Sequence, residues 1–180
     1  DINRYDSMVP ETAWGTKYDG EYRLVSRKML DPAGERTLIS AIIPPKTAHT
    51  NGLLGITFRS AKVLSIVSGT FVSVPFDYFI KMLGKQNLYE DTAGMLPVIK
   101  SKYSDEIAVR ALLLNCLSDA YAPLWDIVRP MLDICCEWSA NDQRAKNLHF
   151  VNKEWSWETP VRNDYLRRLA LVELDVLTAL

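Results

Sequence analysis

The chain has 180 residues, 48% of them hydrophobic and 24% charged, with a formal net charge of −1. That length can bury a full core, so stability requires neither a metal nor a disulfide. The near-neutral balance excludes a bulk polycation that coats nucleic acid, while a local basic face, which is what phosphate contacts need, stays open.

In chain order, Asp1 to Asp6 lack a basic start followed by an apolar run, so no signal peptide is visible. Residues up to Gly20 mix Pro10, Gly15 and Gly20 with polar groups and read as extended chain. Tyr22–Met29 alternates imperfectly and predicts a strand. Asp31-Pro32-Ala33-Gly34 is a turn, because proline presets φ and glycine tolerates the reversal. Thr37–Ile43 is short, β-branched and apolar, the pattern of a central buried strand, and Pro44-Pro45 ends it. Asn51-Gly52 signals a turn into a third strand, Leu53–Phe58.

From Ser60 the period becomes helical. Ser60 is placed to cap a helix over 61–82 with Val63, Leu64, Val67 and Phe71 on its apolar face. Val63–Leu83 is the longest apolar stretch, but Pro75, Asp77 and Lys81 interrupt it, so a buried element is expected rather than a membrane span. Gly84–Pro97 is irregular. Ser104 is expected to cap a helix over 105–129, favoured by Asp105 and Glu106 in its first turn, with Pro123 kinking or dividing it. Its stripe runs Ile107, Leu114, Leu117, Tyr121, Leu124, Val128. Thr159-Pro160 opens a last helix, 161–178, with a stripe of Val161, Tyr165, Leu169, Val172, Val176 and Leu180.

The expectation is an α+β fold: a small mixed β-sheet in the front half, long helices packed behind it, and a helical C-terminal half. Residues 1–100 form the strand-containing region and 101–180 the helical one, packed as one unit. The chain opens without methionine and stops inside a helical pattern, as a fragment would.

Chemistry-bearing motifs are few. No strand is followed by a glycine-rich loop for S-adenosylmethionine, and no NPPY-type tetrapeptide, GxSxG, HExxH or Walker A motif occurs. His49 and His149 have no catalytic companion nearby in sequence, so no catalytic residue is assigned. Cys116, Cys135 and Cys136 make an odd count with one adjacent pair, a poor disulfide framework that suits buried thiols in a reducing cytoplasm. The adjacent pair reads as core packing, with a vicinal disulfide as the alternative. No CxxC or His/Cys ligand spacing exists, so no metal site is expected.

Lys46-Thr47-Ala48-His49-Thr50-Asn51 gathers a cation, hydroxyls, an imidazole and an amide, groups that contact phosphates and base edges; the same composition also makes an ordinary polar loop. Between Lys17 and Lys62 eight basic residues face four acidic ones, a local excess of +4. Arg59 belongs to that excess, and Lys85-Gln86-Asn87 adds a cation and two amides, or equally a solvated turn. Arg162, Arg167 and Arg168 could meet phosphate or pair with Asp164 or Glu173. Trp155 and Trp157 could stack on bases or pack on helices.

Three segments carry a resemblance. Arg27–Pro45, RKMLDPAGERTLISAIIPP, resembles a recurrent block of large adenine-specific DNA methyltransferases of bacterial restriction-modification systems. Phe76-Asp77-Tyr78 with Lys85–Leu88 and Leu96-Pro97-Val98 looks like that family's "DY…G-NL…LP-P" block, and Thr159–Leu180 resembles its closing "R-DY-RR-ALVEIDVLVA" helix. Together they look like the TaqI-like target-recognition region of type IIG enzymes. The resemblance implies DNA target recognition on double-stranded DNA, beside a methyltransferase domain of the same parent chain that binds S-adenosylmethionine and flips the adenine. This segment would then hold no cofactor and no catalytic group, would act in the cytoplasm, and would contact DNA through Lys46, His49, Thr50, Asn51, Arg59, Lys85, Gln86 and Asn87. A helical protein-interaction or scaffolding module of a DNA-defence complex is the alternative.

Overall fold

The structure, a computed structural model, describes residues 7–145, 150 and 152–180. Three strands form its sheet: β1 (Arg23–Arg27), β2 (Ser40–Ile43) and β3 (Leu53–Thr57), in the order β2–β1–β3. Leu24 stands opposite Ile42 on one side and Ile56 on the other, and Ser26 opposite Ser40 and Leu54. Both pairings are antiparallel, so the sheet is not the expected mixture of directions.

The centre of the sheet also moves. β1, not the TLISAII run, is the inner strand, and four of its five residues are buried. TLISAII enters the sheet only at Ser40, as an edge strand. Thr37 and Leu38 stay outside it because their N–H groups both go to the Asp77 carboxylate, at 2.7 Å each. Since β2 and β3 both run against β1, they are parallel to each other. The 44–52 connection therefore crosses from one end of β1 to the other instead of forming a hairpin.

The helical periodicity after Ser60 resolves into shorter pieces. α1 (Ala61–Phe71) starts where expected, with Ser60 Oγ accepting the Val63 N–H at 3.4 Å. The expected single helix over 61–82 breaks at Val72-Ser73, and α2 (Val74–Met82) leaves at 68° with Pro75 in its first turn, where its missing N–H costs nothing. No single described helix is long and apolar enough to cross a membrane. After the short α3 (Glu90–Ala93), α4 (Ser104–Asn115) and α5 (Ala122–Val128) divide the expected 105–129 helix, with Pro123 in the first turn of α5. Ser104 lies inside α4 rather than capping it; its hydroxyl accepts from Ser101 N–H and donates to the Ile99 carbonyl.

α6 (Asp164–Ala179) begins later than Thr159-Pro160 suggests. Asn163 caps it, accepting from Tyr165 and Leu166 N–H. Val161 is buried, but outside the helix, with its N–H bonded to the Leu113 carbonyl at 2.9 Å. The helix phase restarts at Asn163, so the buried stripe is Ala170, Glu173, Leu174 and Leu177. The expected stripe residues Tyr165, Val172, Val176 and Leu180 are exposed. Glu173 faces inward to meet Arg110, fully buried on α4, at 2.5 Å.

One cluster of buried apolar residues runs from Leu24 through Leu112 to Leu177, so both halves share a core. α1 and α4 cross closely within it. A Cβ on Gly69 would stand 2.6 Å from Ile107 Cγ2 and 3.0 Å from its carbonyl oxygen, so only glycine permits that approach.

Candidate functional site

The 44–52 crossover lies over the sheet face opposite α1. Lys46 takes a left-handed conformation, φ 61°, that sends its N–H to the Asp19 carbonyl at 2.7 Å. Its ammonium stands 3.3 Å from the carboxylate of Asp19, a buried residue. The buried Arg23 guanidinium donates to the Thr47 carbonyl and lies over the Tyr18 ring at 5.0 Å. Burial raises the Tyr18 phenol above its ordinary value. His49 Nδ1 is 3.2 Å from the Thr50 carbonyl oxygen, a contact that requires the proton on Nδ1. Its Nε2 and the Tyr18 hydroxyl rest on Gly55: a Cβ there would be 2.7 Å from Nε2 and closer still to the hydroxyl. The crossover is therefore clamped, with Thr50 and Asn51 exposed at its far end.

That far end is where distant segments meet. Asn51 Oδ1 accepts from Lys28 Nζ at 2.8 Å. Beyond β1 the chain pairs with the 86–88 segment, Leu88 N–H to Lys28 O at 2.7 Å and Leu30 N–H to Gln86 O at 2.9 Å. Lys28, Asn51, Lys85, Gln86 and Asn87 thus gather at one end of the sheet. Arg59, just past β3, and Lys46 belong to the other end, where Arg23 pairs with Ile43 and Thr57. The ends are about 13 Å apart at the ordinary strand rise. Among the described residues Lys28, Arg59 and Lys85 make no ion pair, whereas Lys46 is held by Asp19. Glu90 and Asp91 share a shallow recess with Lys28, which bounds the cationic end on one side.

The motif residues themselves form a frame. Asp77 holds the Thr37 and Leu38 N–H groups and stands 3.2 Å from Lys81, which also donates to the Gly34 and Glu35 carbonyls. Asp175 of α6 accepts from Val74 N–H at 2.7 Å and from Arg36 at 3.1 Å. Three stretches far apart in sequence are welded by these carboxylates, Asp77 buried and Asp175 partly buried.

The arginines and tryptophans of the back half also serve the fold. Arg167 donates to the Leu114 and Val161 carbonyls, and Trp155 Nε1 to the Cys116 carbonyl at 2.9 Å. Glu173 pairs with Arg110 rather than with an arginine of α6. Arg162 sits over the exposed Trp157 ring at 4.2 Å. His149 lies outside the described residues.

Two features escape sequence reasoning. The first is the free edge of β3. Lys28 N–H bonds to the Gly52 carbonyl, so by alternation Gly55 and Thr57 turn their N–H and C=O groups away from β1. They face a groove of about 470 Å³ lined by Val67, Phe71 and the Ala93–Val98 segment. The opposite edge is closed: Asn115 Oδ1 accepts from Ile42 N–H, and Tyr121 donates to the Ile42 carbonyl. The second is a cluster of Glu106, Cys135 and Cys136, whose ligand atoms lie within 4.8 Å of one another. The hydrogen bond from the Cys135 thiol to the Glu106 carboxylate holds that thiol up at about 11. Neither feature has a linear signature, because each joins residues at least 29 apart or depends on strand order.

No protein-family model, curated protein or solved structure matches the chain.

Proposed function

We propose that the chain is a duplex-DNA recognition unit serving a S-adenosylmethionine-dependent, adenine-specific methyltransferase of a restriction-modification system. The observation that carries this reading is the sheet end where Lys28, Lys85, Asn51, Gln86 and Asn87 converge. Ammonium groups without carboxylate partners are suited to phosphate oxygens, and side-chain amides to the N6 and N7 edge of adenine in the major groove. Clamping the crossover through Arg23, Tyr18 and Asp19 lowers the ordering cost of presenting Asn51. The cofactor and the methyl transfer are assigned to a separate methyltransferase domain, which is the second partner.

The test is fluorescence anisotropy on duplex DNA over a salt series. Two phosphate contacts give a slope of log affinity on log salt of about −1.8, a loss of roughly 12-fold between about 50 and 200 mM. Lys85→Ala should flatten the slope by about 0.9, and Asn51→Ala should cost roughly 1–3 kcal/mol on a preferred sequence and less on random duplex. Salt-independent binding, or variants that bind like the parent when joined to a methyltransferase domain, would sink the reading.

The open edge of β3 favours a second reading, a protein-docking module, because unpaired strand groups beside an apolar groove accept an added strand. It predicts that Thr57→Pro, which removes an outward N–H away from the crossover clamp, abolishes capture of a partner while leaving DNA binding intact.

A further inference from the structure

We propose that Glu106, Cys135 and Cys136 bind one zinc-class divalent cation, clipping the 132–138 segment onto the first turn of α4. The argument begins with Glu106. It is fully buried, yet only one of its oxygens is used: Oε1 accepts from Cys135 N–H at 3.0 Å and from the Cys135 thiol at 2.7 Å. Oε2, equally buried, meets no donor. A buried carboxylate oxygen left without a partner is costly, and here it belongs to a group already facing two sulfurs.

The donor set selects the ion. Two thiolates and one carboxylate suit a borderline-soft d10 cation in tetrahedral geometry, with the fourth position open to water. At Zn–S distances of about 2.3 Å, ligand atoms lie roughly 3.8 Å apart. The mutual distances are within 4.8 Å and Cys135 Sγ already lies 2.7 Å from Glu106 Oε1, so shifts of about 1 Å form the shell, the sulfur moving off Oε1 as it loses its proton.

The backbone around the site is fixed in advance. Cys135 N–H is held by Glu106, and the Cys136 carbonyl accepts from Arg110 Nη2 at 2.8 Å. Arg110 also donates to the Glu106 carbonyl and is locked by Glu173. Asp133 N–H goes to the Asp105 carboxylate at 2.9 Å, so the segment is aligned along the same helical turn. The 132–138 stretch has neither helix nor strand to hold it. Two thiolates, a carboxylate and a divalent cation sum to −1; Arg110 is already paired with Glu173, so this residual charge is left to solvent on the exposed Cys135 side. On binding, both thiols release their protons to solvent, and no oxidant is involved.

The test uses the reduced, chelator-stripped chain titrated with Co2+ and then Zn2+. The expected result is one equivalent of Co2+ giving sulfur-to-metal charge-transfer and tetrahedral d–d bands, displaced by Zn2+, with a raised Tm. Cys136→Ser and Cys135→Ser should each weaken binding by more than about 100-fold, beyond the 10–100-fold that loss of an outer-shell partner brings. Glu106→Gln should keep a thiolate band but lose affinity. Because Cys136 is only half-buried, its serine variant tests the site even if Glu106→Gln fails to fold. An octahedral Co2+ spectrum, or unchanged affinity in the double serine variant, would overturn the proposal.

Discussion

Asp77 gives the sharpest test of how the front and back of this fold are joined. Replacing it with alanine strands two buried N–H groups, those of Thr37 and Leu38, each now in a 2.7 Å bond to the same carboxylate oxygen. Bonds to a charged group contribute about 1.5–3 kcal/mol each, so Asp77→Ala should cost about 3–6 kcal/mol. Asparagine behaves differently. Both N–H groups land on Oδ1, so an amide oxygen can accept both, at roughly half the strength of charge-assisted bonds. The Lys81 contact at Oδ2 is lost, but Lys81 keeps the Gly34 and Glu35 carbonyls. Asp77→Asn should therefore cost only about 1.5–3 kcal/mol. Urea unfolding followed by far-UV circular dichroism reads both values as shifts in midpoint at constant slope. Equal losses in the two variants, or a loss below about 1 kcal/mol for alanine, would refute the assignment of both N–H groups to one oxygen.

Gly69→Ala should destabilise by about 1–2 kcal/mol, since overpacking against Ile107 outweighs the roughly 1 kcal/mol gain in helix propensity; a rise in Tm would contradict the close crossing of α1 and α4. Cys116 is fully buried and burial pushes its thiol up, so Ellman's reagent should modify it only as the chain unfolds; labelling as fast as the exposed Cys135 would count against that burial. Asp142 is held down to about 2 by its hydrogen bonds from the Arg144 side chain and backbone. Because its folded value is depressed from 3.8, the pair's contribution is present above about pH 4 and is lost as pH falls through 2. A carboxyl NMR titration with a midpoint near 4, or one that Arg144→Ala leaves unmoved, would show the pair is not formed.

Short-range physics made much of this protein legible from its sequence. The change of period at Ser60 and the Ser60 cap, the Asp31–Gly34 turn and the α+β class all depend on neighbours within a few residues, and all are present. Pro123 was legible as a helix breaker, though not the side of the break on which it would fall, whereas Pro75 marked only an interruption of the apolar stretch and the helix expected through it breaks before it. Of the candidate interface, the residue types could be named, but not that Asn51 and Lys85–Asn87 share one end of the sheet while Lys46 and Arg59 sit at the other.

Tertiary structure decided what local pattern leaves degenerate. TLISAII has the composition of a central strand, yet Asp77 takes the N–H groups of Thr37 and Leu38, and β1 occupies the centre instead. On α6 two apolar stripes compete, and the buried one is set by the phase from Asn163 and by the reach of Glu173 to Arg110. Lys46 looks like a free cation in the sequence, but a carboxylate 27 residues earlier holds it. In each case the deciding partner is distant along the chain, and a buried charge or N–H must find that partner wherever the fold brings it.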